Sequence, residues 1–143
     1  MIRDRTSVKV SLRLMGEEYN VQEITDFLNI TPSKTWNKGE SIRNSGQKRT
    51  YTAWIYSTDE IETLNVYSQA VKIEKLFLPK IKEISFLKNK YDLDISLDFV
   101  INIKNEEVPA IYFESSFIEF AASVGAGFDM DTYVSGSSCG FDK

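Results

Sequence analysis

The sequence predicts an α+β domain in which helices cover one face of a mainly antiparallel or mixed sheet of about five strands. Three observations carry this. Some stretches alternate apolar and polar residues with the period of two that a half-buried strand requires. Others repeat apolar residues at the spacing of a helix face, and the two kinds of segment follow one another irregularly. A ferredoxin-like arrangement with insertions is the nearest match, because residues 7–57 and 110–134 each read as a strand–helix–strand unit, although no residue-level repeat links them.

Val8, Val10, Leu12 and Leu14 alternate with Ser7, Lys9, Ser11 and Arg13 and define the first strand. Asn20 stands three residues before Glu23, a capping-box spacing in which two side chains satisfy free N–H groups at a helix start. The helix that follows places Val21, Ile24, Phe27 and Leu28 on one face and ends near Asn29. Residues 31–49 are rich in Pro, Ser, Lys, Asn, Gly and Gln, with Trp36 and Ile42 as interruptions, so a long loop is expected there. A second strand over 50–57 sets Trp54 and Tyr56 on one side and Tyr51, Ala53 and Ile55 on the other, which predicts that both faces are at least partly covered.

Asp59 and Glu62 repeat the capping spacing, and Ile61, Leu64, Tyr67, Val71 and Leu76 then give the longest helix. Pro79 lacks an N–H and predicts a kink or break, beyond which Ile81, Ile84 and Leu87 continue the apolar stripe to about Asn89. The cleanest alternation runs from Leu93 through Ile95, Leu97, Phe99 and Ile101 to Ile103, a central strand with one buried face. A turn at Asn105, Glu106 and Glu107 leads to a short strand over 110–113, and Ser116 with Glu119 opens a helix through Phe117, Phe120, Ala121 and Val124. Gly125 and Gly127 can end that helix through a left-handed residue, after which Phe128, Met130, Thr132 and Val134 form the last strand. Residues 1–134 are thus expected to form one domain and 135–143 a flexible tail.

Composition narrows the chemistry. The chain has 143 residues, 42% of them hydrophobic and 13% aromatic, which suffices for one substantial core. Its net charge of −4 disfavours non-specific nucleic-acid binding. The single cysteine, Cys139, precludes an intrachain disulfide, and the first residues lack the apolar run of a signal peptide, so a cytoplasmic protein without a membrane span is expected. Histidine is absent, which removes the commonest general base and, with one cysteine, any Cys/His zinc site within the chain. No cofactor is expected, and catalysis is the poorer reading. Ser57, Ser115 and Ser116 have neither a histidine nor a Ser-x-x-Lys lysine to activate them.

Two groups of residues are candidate binding sites. Asp129 and Asp131 share one face of the last strand, Asp94 and Asp98 share the polar face of the long strand, and adjacent strands would gather all four carboxylates. Such a cluster suits Mg²⁺ or Ca²⁺, or an acid/base pair in a metal-dependent hydrolase. The simpler reading is a solvated sheet face on which Lys9 and Arg13 neutralise the acids across strands. The second group is the 31–49 stretch, where Trp36 lies among Lys34, Lys38, Arg43, Lys48 and Arg49. Aromatic and basic residues together can grip an anion, a protein or a single strand of nucleic acid. The simpler reading there is that Trp36 folds back on the core edge beside Trp54.

The ordered signals resemble a bacterial domain-of-unknown-function family, numbered 4279, from about Val8 to Val134. The likeness rests on Leu12-Arg-Leu-Met-Gly16 in the first strand, Thr31-Pro-Ser33 after the first helix, Trp36 with Gly39, Trp54 with Ser57, and the ending Phe128-Asp-Met-Asp-Thr-Tyr-Val134. It implies a small, self-contained domain and carries over neither an activity nor a site residue. Some relatives look like immunity proteins that neutralise a toxin. A non-catalytic protein-binding domain, of that immunity type, is therefore the first expectation. The metal-dependent hydrolase is its rival, and a homodimeric structural module sealed by aromatics such as Tyr112 and Phe113 is a third.

Overall fold

Alternation along the first strand places Val8, Val10, Leu12 and Leu14 wholly out of water and makes β1 (Ser7–Gly16) the strand from which the sheet grows. A computed structural model of the protein describes residues 5–135. After β1 come α1 (Val21–Leu28), β2 (Lys34–Trp36), β3 (Ser41–Ile42), β4 (Gln47–Lys48), β5 (Thr52–Ser57) and β6 (Ile61–Glu62). The chain continues through α2 (Tyr67–Phe77), a 3₁₀ turn over Leu78–Lys80, α3 (Ile81–Tyr91), β7 (Asp94–Lys104), α4 (Ser115–Val124) and β8 (Ala126–Ser135).

The main sheet runs β2-β5-β1-β7-β8, with β6 added to β1, and β3 and β4 form a separate hairpin. Its pairs are antiparallel except β7 with β8, which are parallel, so the sheet is mixed as expected. The ferredoxin-like expectation does not hold. That arrangement splits each strand–helix–strand unit with an intervening strand, whereas here β1 and β5, and likewise β7 and β8, are direct neighbours. A parallel pair needs a crossover, and α4 supplies it between β7 and β8.

One face of the sheet is covered by helices. Ile24 and Leu28 of α1, Ile73 and Phe77 of α2, Ile84 and Leu87 of α3, and Phe117 and Phe120 of α4 pack on the apolar residues of β1 and β7. Trp54 enters this core from β5, and its indole N–H donates to the Thr25 hydroxyl of α1 at 3.0 Å. A smaller cluster of Trp36, Ala53 and Ile55 lies on the other face, so β5 is covered on both sides as its sequence predicts.

Helix ends follow local chemistry. Asn20 caps α1 by accepting from the Gln22 N–H at 2.9 Å, while the Glu23 side chain turns away to Lys90 and Tyr91, so only half of the capping box forms. Asn29, Asp92 and Gly125 end α1, α3 and α4 in the left-handed conformation. The break at Pro79 is the 3₁₀ turn.

Four local expectations are corrected. Ile61 and Leu64 precede α2: β5 leaves Ser7 and Val8 of β1 unpaired, and β6 takes up their backbone bonds. Residues 31–49 hold three short strands, because Lys34, Thr35 and Trp36 pair with β5. The strand expected over 110–113 reduces to one bridge between Ala110 and Asn65. α4 starts after Glu114, so Ser116 sits inside its first turn instead of capping it. Cys139 and residues 136–143 lie outside the described residues.

Candidate functional site

The sheet face turned away from the helices is built by strand parity. Lys9, Ser11 and Arg13 of β1 alternate with the buried leucines and valines, and register places Ser11 opposite Asp98 and Arg13 opposite Ser96. On the other side of β7, Asp98 neighbours Asp129 and Val100 neighbours Asp131. At the opposite end of the sheet, Lys34 pairs with Ile55 and Trp36 with Ala53. Among the described residues no helix covers this face. Its centre is a concavity of about 270 Å³ lined by Lys9, Arg13, Lys34, Trp36, Asp98 and Asp131 among others.

Arg13 and Asp98 form the anchor of this face. The Arg13 Nη1 donates to Asp98 at 2.9 Å, and its Nη2 donates to the Tyr51 hydroxyl at 3.0 Å. The second Asp98 oxygen accepts from the Ser96 hydroxyl. The Asp98 side chain is 8% exposed and that of Arg13 25%, so the pair is largely shielded from water and salt. Asp98 is thus committed inside the fold. Tyr51 and Ser96 complete this network and escaped the sequence reading; the signal for Ser96 was its i, i+2 relation to Asp98.

The four expected carboxylates do not all meet. Asp98, Asp129 and Asp131 lie on neighbouring strands, whereas Asp94 pairs with Met15 at the far end of β7, about 13 Å along the strand from Asp98. Asp129 and Asp131 make no ion pair among the described residues. The Asp131 charge, followed by desolvation and the Asp98 charge, pushes the Asp129 carboxyl above the usual range, and Arg13 only partly offsets this. Lys9 likewise makes no ion pair among the described residues. Arg13 therefore neutralises Asp98, and the β8 end of the face stays acidic.

The other end is donor-rich. Trp36 is 6% exposed and packs edge-on to Tyr51, with ring centres 5.7 Å apart. The guanidinium of Arg49 sits 3.7 Å from its ring centre, the Lys34 ammonium 5.3 Å and the Arg13 guanidinium 5.9 Å, all within cation–π range. Its indole N–H and the Nε of Arg13 are buried without an acceptor among the described residues. Trp36 does fold back on the sheet, but on the face opposite Trp54. Lys38 is drawn away by Glu17 at 2.6 Å, and Arg43 is exposed in the turn between β3 and β4, so neither joins the site. The open face is consequently bipolar, cationic around Trp36 and anionic along β8.

Among the described residues no group of three or more Asp, Glu, Cys or His side chains is arranged to hold a metal ion, and no helix is long and apolar enough to cross a membrane. Ser57 is tied into the sheet: its hydroxyl shares a 2.7 Å bond with that of Ser11, and its N–H donates to the Ser33 hydroxyl. No curated protein and no solved structure matches the chain. Residues 6–135 match the family described as Domain of unknown function (DUF4279), nearly the whole chain, and the protein belongs to that family.

Proposed function

We propose that this is a non-catalytic protein-binding domain whose open sheet face meets a partner carrying basic groups. The observation that supports this reading is the pair Asp129 and Asp131, two carboxylates without an ion pair among the described residues on a bare sheet face, where the Asp131 charge disfavours that of Asp129. A cation brought by a partner relieves that repulsion, and complementary charge also speeds encounter and rejects wrong partners. An immunity-type role, the neutralisation of a basic toxin, is the specific form we favour.

Affinity capture from the organism of origin tests this. Wild type and the Asp129→Asn/Asp131→Asn variant are compared, with Asp98 kept because it holds Arg13. Wild type should retain a specific partner that the variant loses. Recovery of no specific partner, or equal recovery by both, overturns the proposal.

A further inference from the structure

β8 is an edge strand of the main sheet, with no neighbour on its outer side among the described residues. It pairs with β7 over ten consecutive residues without a bulge, so its outer edge presents a straight row of backbone donors and acceptors. The opposite edge of the sheet is β2, only three residues long and pinned by Trp36. Neither proline nor lysine, the usual protections of a long edge, occurs between Ala126 and Ser135.

The side chains of β8 sort by face. Asp129, Asp131 and Tyr133 point to the open face; Phe128, Met130, Thr132 and Val134 point to the helix side. On the helix side Phe128 joins the rings of Phe99, Phe113 and Phe117, yet it stays 39% exposed, with Met130 at 40% and Val134 at 67%. A strand added here would set its own residues directly opposite these, close enough for cross-strand contact.

Self-pairing is disfavoured by the same residues. Two copies of β8 joined antiparallel about a two-fold axis must keep like faces together. The registers with the longest overlap then place Asp129 opposite Asp131, or Asp131 opposite its own copy. Like charges directly opposite are destabilising. A strand with basic residues on one face and apolar residues on the other has no such conflict.

We propose that β8 is a docking edge for an extended segment of a partner protein in which lysine or arginine alternates with apolar residues, the segment extending the sheet by one strand. This rests on the protein-binding reading above and names both the element and the partner chemistry.

The probe is a synthetic ten-residue peptide of alternating lysine and valine, measured by calorimetry against the full chain. A version with glutamate for lysine and two versions N-methylated on alternate residues, each blocking one edge of the peptide, complete the set. The lysine peptide should bind, and one methylated version should lose affinity by roughly ten-fold or more while the other keeps it. Asp129→Lys/Asp131→Lys, checked for unchanged circular dichroism, should reverse the preference towards the glutamate peptide. Absence of lysine-peptide binding, or an unreversed preference, overturns the docking edge. Equal binding of both methylated peptides overturns strand addition yet leaves open-face binding intact. A wild-type dimer in sedimentation that loses the peptide site makes a second copy the occupant and also overturns it.

Discussion

Replacing Asp98 by Ala removes the acceptor of the Arg13 Nη1 bond at 2.9 Å and of the Ser96 hydroxyl, and it leaves the guanidinium with the Tyr51 hydroxyl alone. One hydrogen bond to a charged group is worth about 1.5–3 kcal/mol, and breaking a fully buried pair costs about 3–5 kcal/mol. The Arg13 side chain keeps 25% of its exposure, so water moderates the loss and about 2–3 kcal/mol is expected. For a domain of this size that lowers the melting temperature by about 10 °C. Asp94 lies on the same face of the same strand but is exposed and pairs with Met15, so Asp94→Ala should change stability by less than about 0.5 kcal/mol. Urea unfolding of both variants, and of Arg13→Ala with Asp98→Ala to obtain the coupling, checks this. Equal losses at the two aspartates, or no coupling to Arg13, would refute the assignment of Asp98 as a committed structural anchor.

Asp129 has its folded-state pKa raised, chiefly by Asp131, so its ionisation opposes folding above that raised value and has no effect below the unfolded value. Asp129→Asn should therefore raise the melting temperature at pH 7, with the gain disappearing near pH 3. Glu23 runs the other way: hydrogen bonds from Lys90 and then Tyr91 depress its pKa, so its stabilisation is present above the unfolded value and is lost as pH falls through the depressed one. Glu23→Gln should accordingly be less stable than wild type at pH 7, the difference closing in acid. Gly125→Ala places a Cβ at φ +71°, 2.9 Å from the Lys88 Cε, and should cost about 1–2 kcal/mol in urea unfolding, mostly from the left-handed backbone. Millimolar Mg²⁺, Mn²⁺ or Ca²⁺ should leave the melting temperature unchanged, since Asp98 is engaged by Arg13; a shift abolished by Asp131→Asn would restore the hydrolase reading.

Much of the fold was legible where one face of a segment is buried, because burial imposes a period. The alternations from Val8 to Leu14 and from Leu93 to Ile103 marked the two strands at the centre of the sheet, and Asn29, Pro79 and Gly125 marked helix ends by backbone chemistry. Order within the sheet was not legible, since pairing depends on contacts distant in sequence. Nor were the edge pieces. Lys34 and Thr35 of β2 are exposed, and β6 exists because β5 leaves a gap beside Ser7, which no local pattern announces. For the site, side-chain parity correctly put Asp98, Asp129 and Asp131 on one face. It gave no account of reach: Asp94 shares their parity but sits a full strand-end away, and Lys38 and Arg43 share the loop of Trp36 but not its environment. Separating Asp98 from Asp129 required Tyr51 and Ser96, whose bonds depend on the assembled sheet.

The exposed rings of Phe27 and Phe86, 5.4 Å apart on α1 and α3, offer a competing surface on the helical side of the molecule. Titration of the ¹⁵N-labelled protein with the alternating lysine–valine peptide, followed through backbone amide shifts, separates the two. Perturbations should concentrate on β8 from Ala126 to Ser135 and on its β7 neighbours, with the amides of α1 and α3 unmoved. Shifts centred on Phe27 and Phe86, with β8 silent, would contradict it.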